Sequence, residues 1–258
     1  MAETLENGRV AANGASLAYV AAGPENGPVV TLVHGFASNA NVNWVETGWV
    51  RHLARAGYRV LAPDNRGHGS SQVFYDRADY SVQIMADDIV GLWDALGIDQ
   101  SYLVGYSMGA RISLQVSGDY GGRVSALSIG GNGDAILKDR RGWQAIADAL
   151  LAESDEAPVV RGQGEVFRMF AQRTGSDLKA LAACVVGALE PFNESQIAAV
   201  QVDTLLAVGT ADDVAGDADR LASLMRSAAV MHLEGKNHMS AVGDRDWKAA
   251  TLELFSDA

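Results

Sequence analysis

One cysteine stands in 258 residues, Cys184. A single thiol excludes an intrachain disulfide and any paired-cysteine metal or redox motif, and its place in the apolar run LAACVVGAL (residues 181–189) predicts a buried, inert side chain. Basic residues are also scarce. Twenty Lys and Arg against 32 Asp and Glu leave a formal charge of −12, a surface that repels phosphate backbones and anionic headgroups, so neither nucleic acid nor a membrane is expected as a partner. No apolar run approaches the roughly 18 residues of a membrane helix. The opening MAETLENGRV has neither the basic nor the apolar region of a secretion signal, so a cytoplasmic protein is expected and the NES sequon at Asn193 carries no weight. H-E-x-x-H, G-x-x-x-x-G-K-[ST] and a strand-linked G-x-G-x-x-G are all missing. No metal and no cofactor is expected.

What is present is a chain that is 48% hydrophobic, long enough for one large α/β domain. After an N-terminal hairpin over about Arg9 to Ala22, short apolar runs alternate with segments of helical period. The runs are VVTLVHG, YRVLAPD, SYLVGY, VSALSIG, TLLAVGT and AVMHLEG; the helical segments lie at about Trp44 to Ala56, Val82 to Leu96, Met108 to Ser117 and Asp244 to Phe255, with Asp244 as N-cap of the last. This alternation predicts an α/β fold with a mostly parallel central sheet flanked by helices. From Asp134 to Val200 only helix-like segments occur, among them EVFRMFAQR and SDLKALAACVVGALE. The expected organisation is a core domain of residues 1–133 and 201–258 with a helical cap insertion, 134–200, over the sheet edge where ligands bind in open α/β sheets.

Chemistry concentrates in LVGYSMGAR, residues 103–111. A serine at a sharp strand-to-helix turn has a strained backbone, and side chains two positions to either side would collide with neighbouring elements. Gly105 and Gly109 remove them, which predicts a nucleophile elbow at Ser107. A serine hydroxyl needs a base, and the base needs an orienting acid. With the chain order serine, acid, histidine, His34, His52 and His68 come too early. His232 falls inside a strand pattern and reads as a packed structural histidine, leaving His238 in the loop GKNHMS. Asp212, in TLLAVGTADD, is the expected acid of the catalytic triad, with Asp213 and Asp134 as alternatives. Backbone N–H groups of Met108 and of Phe36, in the HGF turn, are expected to form the oxyanion hole, and His34 to brace that turn. Trp143, Phe167 and Phe170 are candidate pocket residues, with Met169 and Phe192 as further apolar cap residues and Arg168 as an exposed helix arginine.

These pieces in this order resemble the α/β-hydrolase superfamily: LVHGF at 32–36, PDNRGHGSS at 63–71, GYSMGA at 105–110, VGTADD at 208–213 and GKNHM at 235–239. The resemblance implies an α/β-hydrolase fold with a helical cap inserted before the last two strands. It also implies that Asp64, Arg66, Gly67, His68 and Gly69 are scaffold. Its haloalkane dehalogenases and epoxide hydrolases use an aspartate where Ser107 stands, and its carbon–carbon bond hydrolases carry a tryptophan where this chain has Met239. The expected activity is therefore that of a carboxylesterase-like serine hydrolase cleaving small or medium acyl esters through an acyl-enzyme. The alternatives are lactonase, thioesterase, carbon–carbon bond hydrolase, cofactor-free perhydrolase, or a non-catalytic ligand receptor. The expected partner is a small ester-like molecule; the oligomeric state is left open.

Overall fold

The computed structural model describes residues 4–138, 143–152, 162–188 and 190–258. The apolar runs become strands of one eight-stranded sheet: β1 (Glu6–Ala12), β2 (Ala15–Ala22), β3 (Val29–Val33), β4 (Arg59–Pro63), β5 (Ser101–Tyr106), β6 (Val124–Gly130), β7 (Thr204–Gly209) and β8 (Ala228–Leu233), in the order β1-β2-β4-β3-β5-β6-β7-β8. The β1–β2 hairpin joins β4 antiparallel, and every pairing from β4 through β8 is parallel. Parallel strands covered on both faces read as continuous apolar runs instead of alternating ones. β7 fits this description, with all six residues buried.

The helices are α1 (Trp49–Arg55), α2 (Val82–Leu96), α3 (Met108–Asp119), α4 (Gln144–Leu151), α5 (Gln163–Arg173), α6 (Leu178–Gly187), α7 (Glu194–Ala198), α8 (Ala218–Ala222) and α9 (Arg245–Asp257). One core joins Trp49 and Leu53 of α1 and Trp247 and Phe255 of α9 to Val30, Leu32 and Val60 of the sheet. The other joins Ile89 and Trp93 of α2, Ile112 of α3 and Leu221 of α8 to Leu103 and Leu127. Two buried indoles inside these layers are paired: Trp93 Nε1 donates to Thr31 Oγ1 at 2.9 Å and Trp247 Nε1 to Ser128 Oγ at 2.9 Å. Helices α4 to α7 follow β6 and precede the last two strands. Among the described residues no helix is long and apolar enough to cross a membrane.

Several expected elements take a different form. The helical pattern from Trp44 to Ala56 is split into a π-helical turn, Asn41–Val45, and α1, because Gly48 between them adopts a left-handed φ of 82°. The five-residue α7 and α8 show too few turns for a helical period to stand out in the sequence. His232 is not packed. β8 is an edge strand, and the His232 ring lies on its exposed side with Nε2 2.9 Å from Asp219 Oδ2. Asp244 caps α9 as expected, accepting from the N–H groups of Asp246 and Trp247.

The scaffold reading of the Asp64–Gly69 turn has specific physical content. Asp64 accepts from Ala40 N at 2.8 Å and from Ser70 N at 2.7 Å, tying the turns after β3 and β4 together. Arg66 makes a two-pronged ion pair with Asp88 of α2, at 2.6 Å from each oxygen, with both side chains buried. Burial pushes the Asp88 carboxyl up, and the Arg66 hydrogen bond and charge only partly offset that. Cys184 is buried, and burial drives its thiol pKa far above the ordinary range, so it stays protonated.

Candidate active site

Parallel register brings the ends of five strands to one edge of the sheet. Val33 pairs with Gly105, Tyr106 with Gly130, Gly130 with Ala207, and Gly209 with Leu233. The loops that leave β3, β5, β7 and β8 therefore emerge side by side. They carry Phe36, Ser107, Asp212 and His238 respectively.

Ser107 sits between β5 and α3 at φ 54°, ψ −112°, a backbone region that a non-glycine residue occupies only under strain. The bracketing glycines have the expected reason. A Cβ on Gly105 would stand 2.5 Å from Gly109 O and 2.6 Å from Ser113 Oγ, and one on Gly109 would overlap the Val33 carbonyl. Ser107 N donates to Gly130 O at 2.9 Å, anchoring the turn to β6.

His238 Nε2 lies 3.0 Å from Ser107 Oγ, and its Nδ1 lies 2.9 Å from Asp212 Oδ2. The three side chains form one hydrogen-bonded line. The Asp212 side chain is fully buried and that of His238 is 11% exposed. The other Asp212 oxygen accepts from Val214 N and Ala215 N at 2.9 and 3.0 Å. Burial alone pushes the Asp212 carboxyl up; the hydrogen bond and charge of His238, with the two amides, outweigh it and hold the group below its ordinary value. An ionised Asp212 can only accept at His238 Nδ1, and that pairing turns Nε2 toward Ser107 Oγ.

The alternative acids lie elsewhere. Asp213 is exposed. Asp134 is buried 5% exposed beside α8, where it accepts from Asp217 N at 2.9 Å and pairs with Lys138 at 3.0 Å. It fastens the turn after β6 to the start of α8.

Among the described residues, no protein acceptor takes the N–H of Phe36 or of Met108. Both residues border the recess at Ser107. The Phe36 turn is held from behind: Asn43 Oδ1 accepts from Gly35 N at 2.8 Å. His34 does brace this loop. Its Nδ1 meets Gly35 O at 2.8 Å and its Nε2 meets Asn65 N at 2.9 Å.

Three further residues support the line and carry no motif in the sequence. Tyr106 Oη donates to His238 O at 2.5 Å, Asn132 Nδ2 donates to Ser107 O at 2.5 Å, and Asn43 holds Gly35. Tyr106 and Asn132 adjoin the serine turn and the glycine-rich loop after β6. Adjacency to those turns was the signal available.

Space around Ser107 is narrow. On one side a cavity of about 20 Å³ is bordered by Phe36, Asn132, Trp143 and Val214; on the other, one of about 40 Å³ is bordered by Phe167, Phe170, His238 and Met239. The expected pocket residues Trp143, Phe167 and Phe170 thus flank Ser107 on both sides. Phe36, Trp143 and Phe167 form a triangle of ring contacts, with centroids 5.6 to 6.4 Å apart. Met169 and Phe192 do not contribute: Met169 is 63% exposed, and Phe192 is buried with the Arg111 guanidinium over its ring. Arg168 is no solvated arginine. Its Nη1 reaches the carbonyls of Ala149, Leu150 and Ala152 and closes the C-terminal end of α4.

The model of the alpha/beta hydrolase fold family matches residues 28–184, more than half of the chain. The chain belongs to the α/β-hydrolase fold family. It is 37% identical over 116 residues to Epoxide hydrolase A of Mycobacterium tuberculosis, a match covering 45% of this chain and 35% of that one. It is 35% identical over 113 residues to the putative carbamate hydrolase RutD of Variovorax paradoxus, covering 44% and 41%. These matches span less than half the length of either relative. Solved structures agree over almost the whole chain: a hydrolase from Pseudomonas aeruginosa (TM-score 0.80, 23% identity, 99% of both chains) and the enol-lactonase from Burkholderia xenovorans LB400 (TM-score 0.76, 22% identity, 96% of this chain and 100% of that one). At these identities the likeness is one of fold.

Proposed function

We propose that this α/β-hydrolase fold protein is a serine hydrolase that cleaves carboxylic esters with a short acyl group. The observation that carries the proposal is the hydrogen-bonded line from Ser107 Oγ through His238 to Asp212, with distances of 3.0 and 2.9 Å. Ser107 Oγ attacks the ester carbonyl carbon while His238 Nε2 takes its proton, and Asp212 holds the imidazole and balances the charge that forms on it. The carbonyl oxygen becomes an oxyanion beside the N–H groups of Phe36 and Met108. The intermediate collapses to an acyl-serine as His238 returns the proton to the departing alkoxide. Water, deprotonated by the same nitrogen, then releases the acid and restores Ser107.

The nucleophile type narrows the substrate class. A serine that opened an epoxide would form an ether, with no carbonyl for water to attack, and the enzyme would stay alkylated. An acyl carbonyl, open-chain or in a lactone, permits turnover. The adjoining cavities of about 20 and 40 Å³ hold one to about three water-sized groups, which favours acetyl- or propionyl-sized acyl chains. The test is hydrolysis of p-nitrophenyl esters of increasing chain length, with Ser107→Ala in parallel. The expected result is turnover greatest on the shortest esters and lost by several orders of magnitude in the variant. Absence of turnover on every ester, or an unchanged rate in Ser107→Ala, overturns the proposal.

A further inference from the structure

A second cleft lies between α1 and α9 and shares no bordering residue with the two cavities at Ser107. Its volume is about 240 Å³. Arg51, His52 and Arg55 enter it from α1, and Arg245 and Lys248 from α9. Among the described residues that border it there is no aspartate or glutamate, although Asp246, just beside it, accepts from Arg245 Nε at 3.1 Å. Four of the chain's 20 Lys and Arg residues thus converge on one cleft of a protein whose formal charge is −12. Such a distribution is opposite to the overall field and raises the local concentration of anions.

The arrangement is compact. Arg51 Nη2 and Lys248 Nζ stand 3.5 and 3.9 Å from the point a Cβ on Gly48 would occupy, so both charges face a space that this residue's lack of a side chain leaves open. Lys248 is fixed there by donating to Thr47 O at 2.7 Å. The cations also act on one another. Burial lowers the Lys248 pKa, Asp244 works against that, and the charge of Arg51 lowers it further; His52 is lowered by burial and by the charge of Lys248, against a backbone hydrogen bond. Like charges held this close are relieved by a bound anion.

From the charge, the geometry and the volume, we infer that the α1–α9 cleft is a binding site for a multivalent phosphate-class anion, namely free phosphate or diphosphate, or the phosphate end of a small phosphomonoester. Guanidinium forks match the several oxygens of a phosphate, and several cations exceed what a single carboxylate neutralises. The volume admits one or two phosphate groups and falls below that of a drug-sized ligand pocket. This inference is independent of the chemistry proposed at Ser107.

Titration calorimetry of the full chain at low ionic strength tests it, with phosphate, diphosphate and glycerol phosphate as probes and sodium chloride matched in ionic strength as the control. Diphosphate is expected to bind saturably at one site per chain, with affinity falling as salt rises. The double variant Arg51→Gln/Arg245→Gln is expected to weaken binding at least about tenfold, the loss of one or more charge-assisted hydrogen bonds. A control with the same change in net charge, Lys179→Gln/Arg226→Gln, leaves it within about twofold. Binding of diphosphate and glycerol phosphate together assigns the site to a terminal phosphate; binding of the inorganic anions alone assigns it to the free ion. The inference is overturned if no probe binds saturably, if chloride gives the same response, or if both double variants weaken binding equally. Circular dichroism of each variant without ligand establishes that the fold is intact, so loss of binding is not loss of structure.

Discussion

Acidification from neutral pH to pH 5 is expected to remove a large part of the folding stability, through two histidines that take no part in the proposed chemistry. His34 and His68 are fully buried, with ring centroids 5.3 Å apart. Burial lowers the His34 pKa to about 4, against the hydrogen bond its Nδ1 gives the Gly35 carbonyl; burial and the charge of His34 lower that of His68 to about 3. The hydrogen bonds give the same direction, because His34 Nε2 accepts from Asn65 N–H and can do so only while it is unprotonated. In the unfolded chain both residues titrate near ~6.5. Above that value both states are neutral and no penalty exists. As pH falls below it, the unfolded chain takes up protons that the folded one refuses, so stability declines until the folded values near 4 and 3 are reached. Each histidine contributes a slope approaching ~1.4 kcal/mol per pH unit, so the pair removes about 3 kcal/mol between pH 6.5 and 5. That is a large share of the roughly 5–15 kcal/mol of a typical domain. Asp212, held below the ordinary carboxylate range, contributes only at lower pH. The assay is urea unfolding followed by tryptophan fluorescence at pH 7, 6, 5.5 and 5. The midpoint should fall steadily, and His68→Gln should flatten its pH dependence by about half. A midpoint constant from pH 7 to 5, or a His68→Gln slope equal to the native one, would refute the reasoning.

Six substitutions probe the site and its supports. Asp212→Asn should reduce kcat by on the order of 10³–10⁴, because the amide favours the wrong histidine tautomer, while Asp213→Asn and Asp134→Asn retain ester turnover; p-nitrophenyl acetate hydrolysis reads all three. Asn43→Ala releases Gly35 N–H and loosens the Phe36 turn, so kcat should drop by about tenfold or more with little change in KM. Trp143→Ala opens the smaller cavity and should raise kcat/KM for butyrate relative to acetate by about tenfold, read on the same ester series. Asp88→Ala leaves Arg66 buried without its carboxylate and should destabilise the fold by about 3–5 kcal/mol, measured by urea unfolding.

The parts of the molecule legible in the sequence are those that backbone geometry enforces. Gly105 and Gly109 are required by contacts that any Cβ would violate, so the serine turn announces itself in the letters. The parallel strands announce themselves through continuous burial. His238 and Asp212 follow from loop order because parallel register sets the ends of β5, β7 and β8 at one edge. Side-chain destinations depend instead on neighbours distant in sequence. His232 looks like a core residue until β8 is seen to be the sheet's edge, and Arg168 looks solvated until α4 is found ending beneath it. Tyr106, Asn43 and Asn132 act through single backbone atoms of His238, Gly35 and Ser107, contacts that require no motif.

The basic cleft was hidden for the same reason. Arg51 and Arg55 lie one turn apart on α1, and Arg245 and Lys248 one turn apart on α9, so neither pair is a charge run in a strongly acidic chain. They meet because Trp49 and Trp247, one on each helix, pack edge to face with centroids 4.7 Å apart in the core beneath them, and Trp49 Nε1 donates to Val242 O just ahead of α9. An apolar contact thus sets the spacing of the charges above it. Loss of the Trp49 ring should therefore weaken diphosphate binding as well as stability, although the ring itself does not border the cleft.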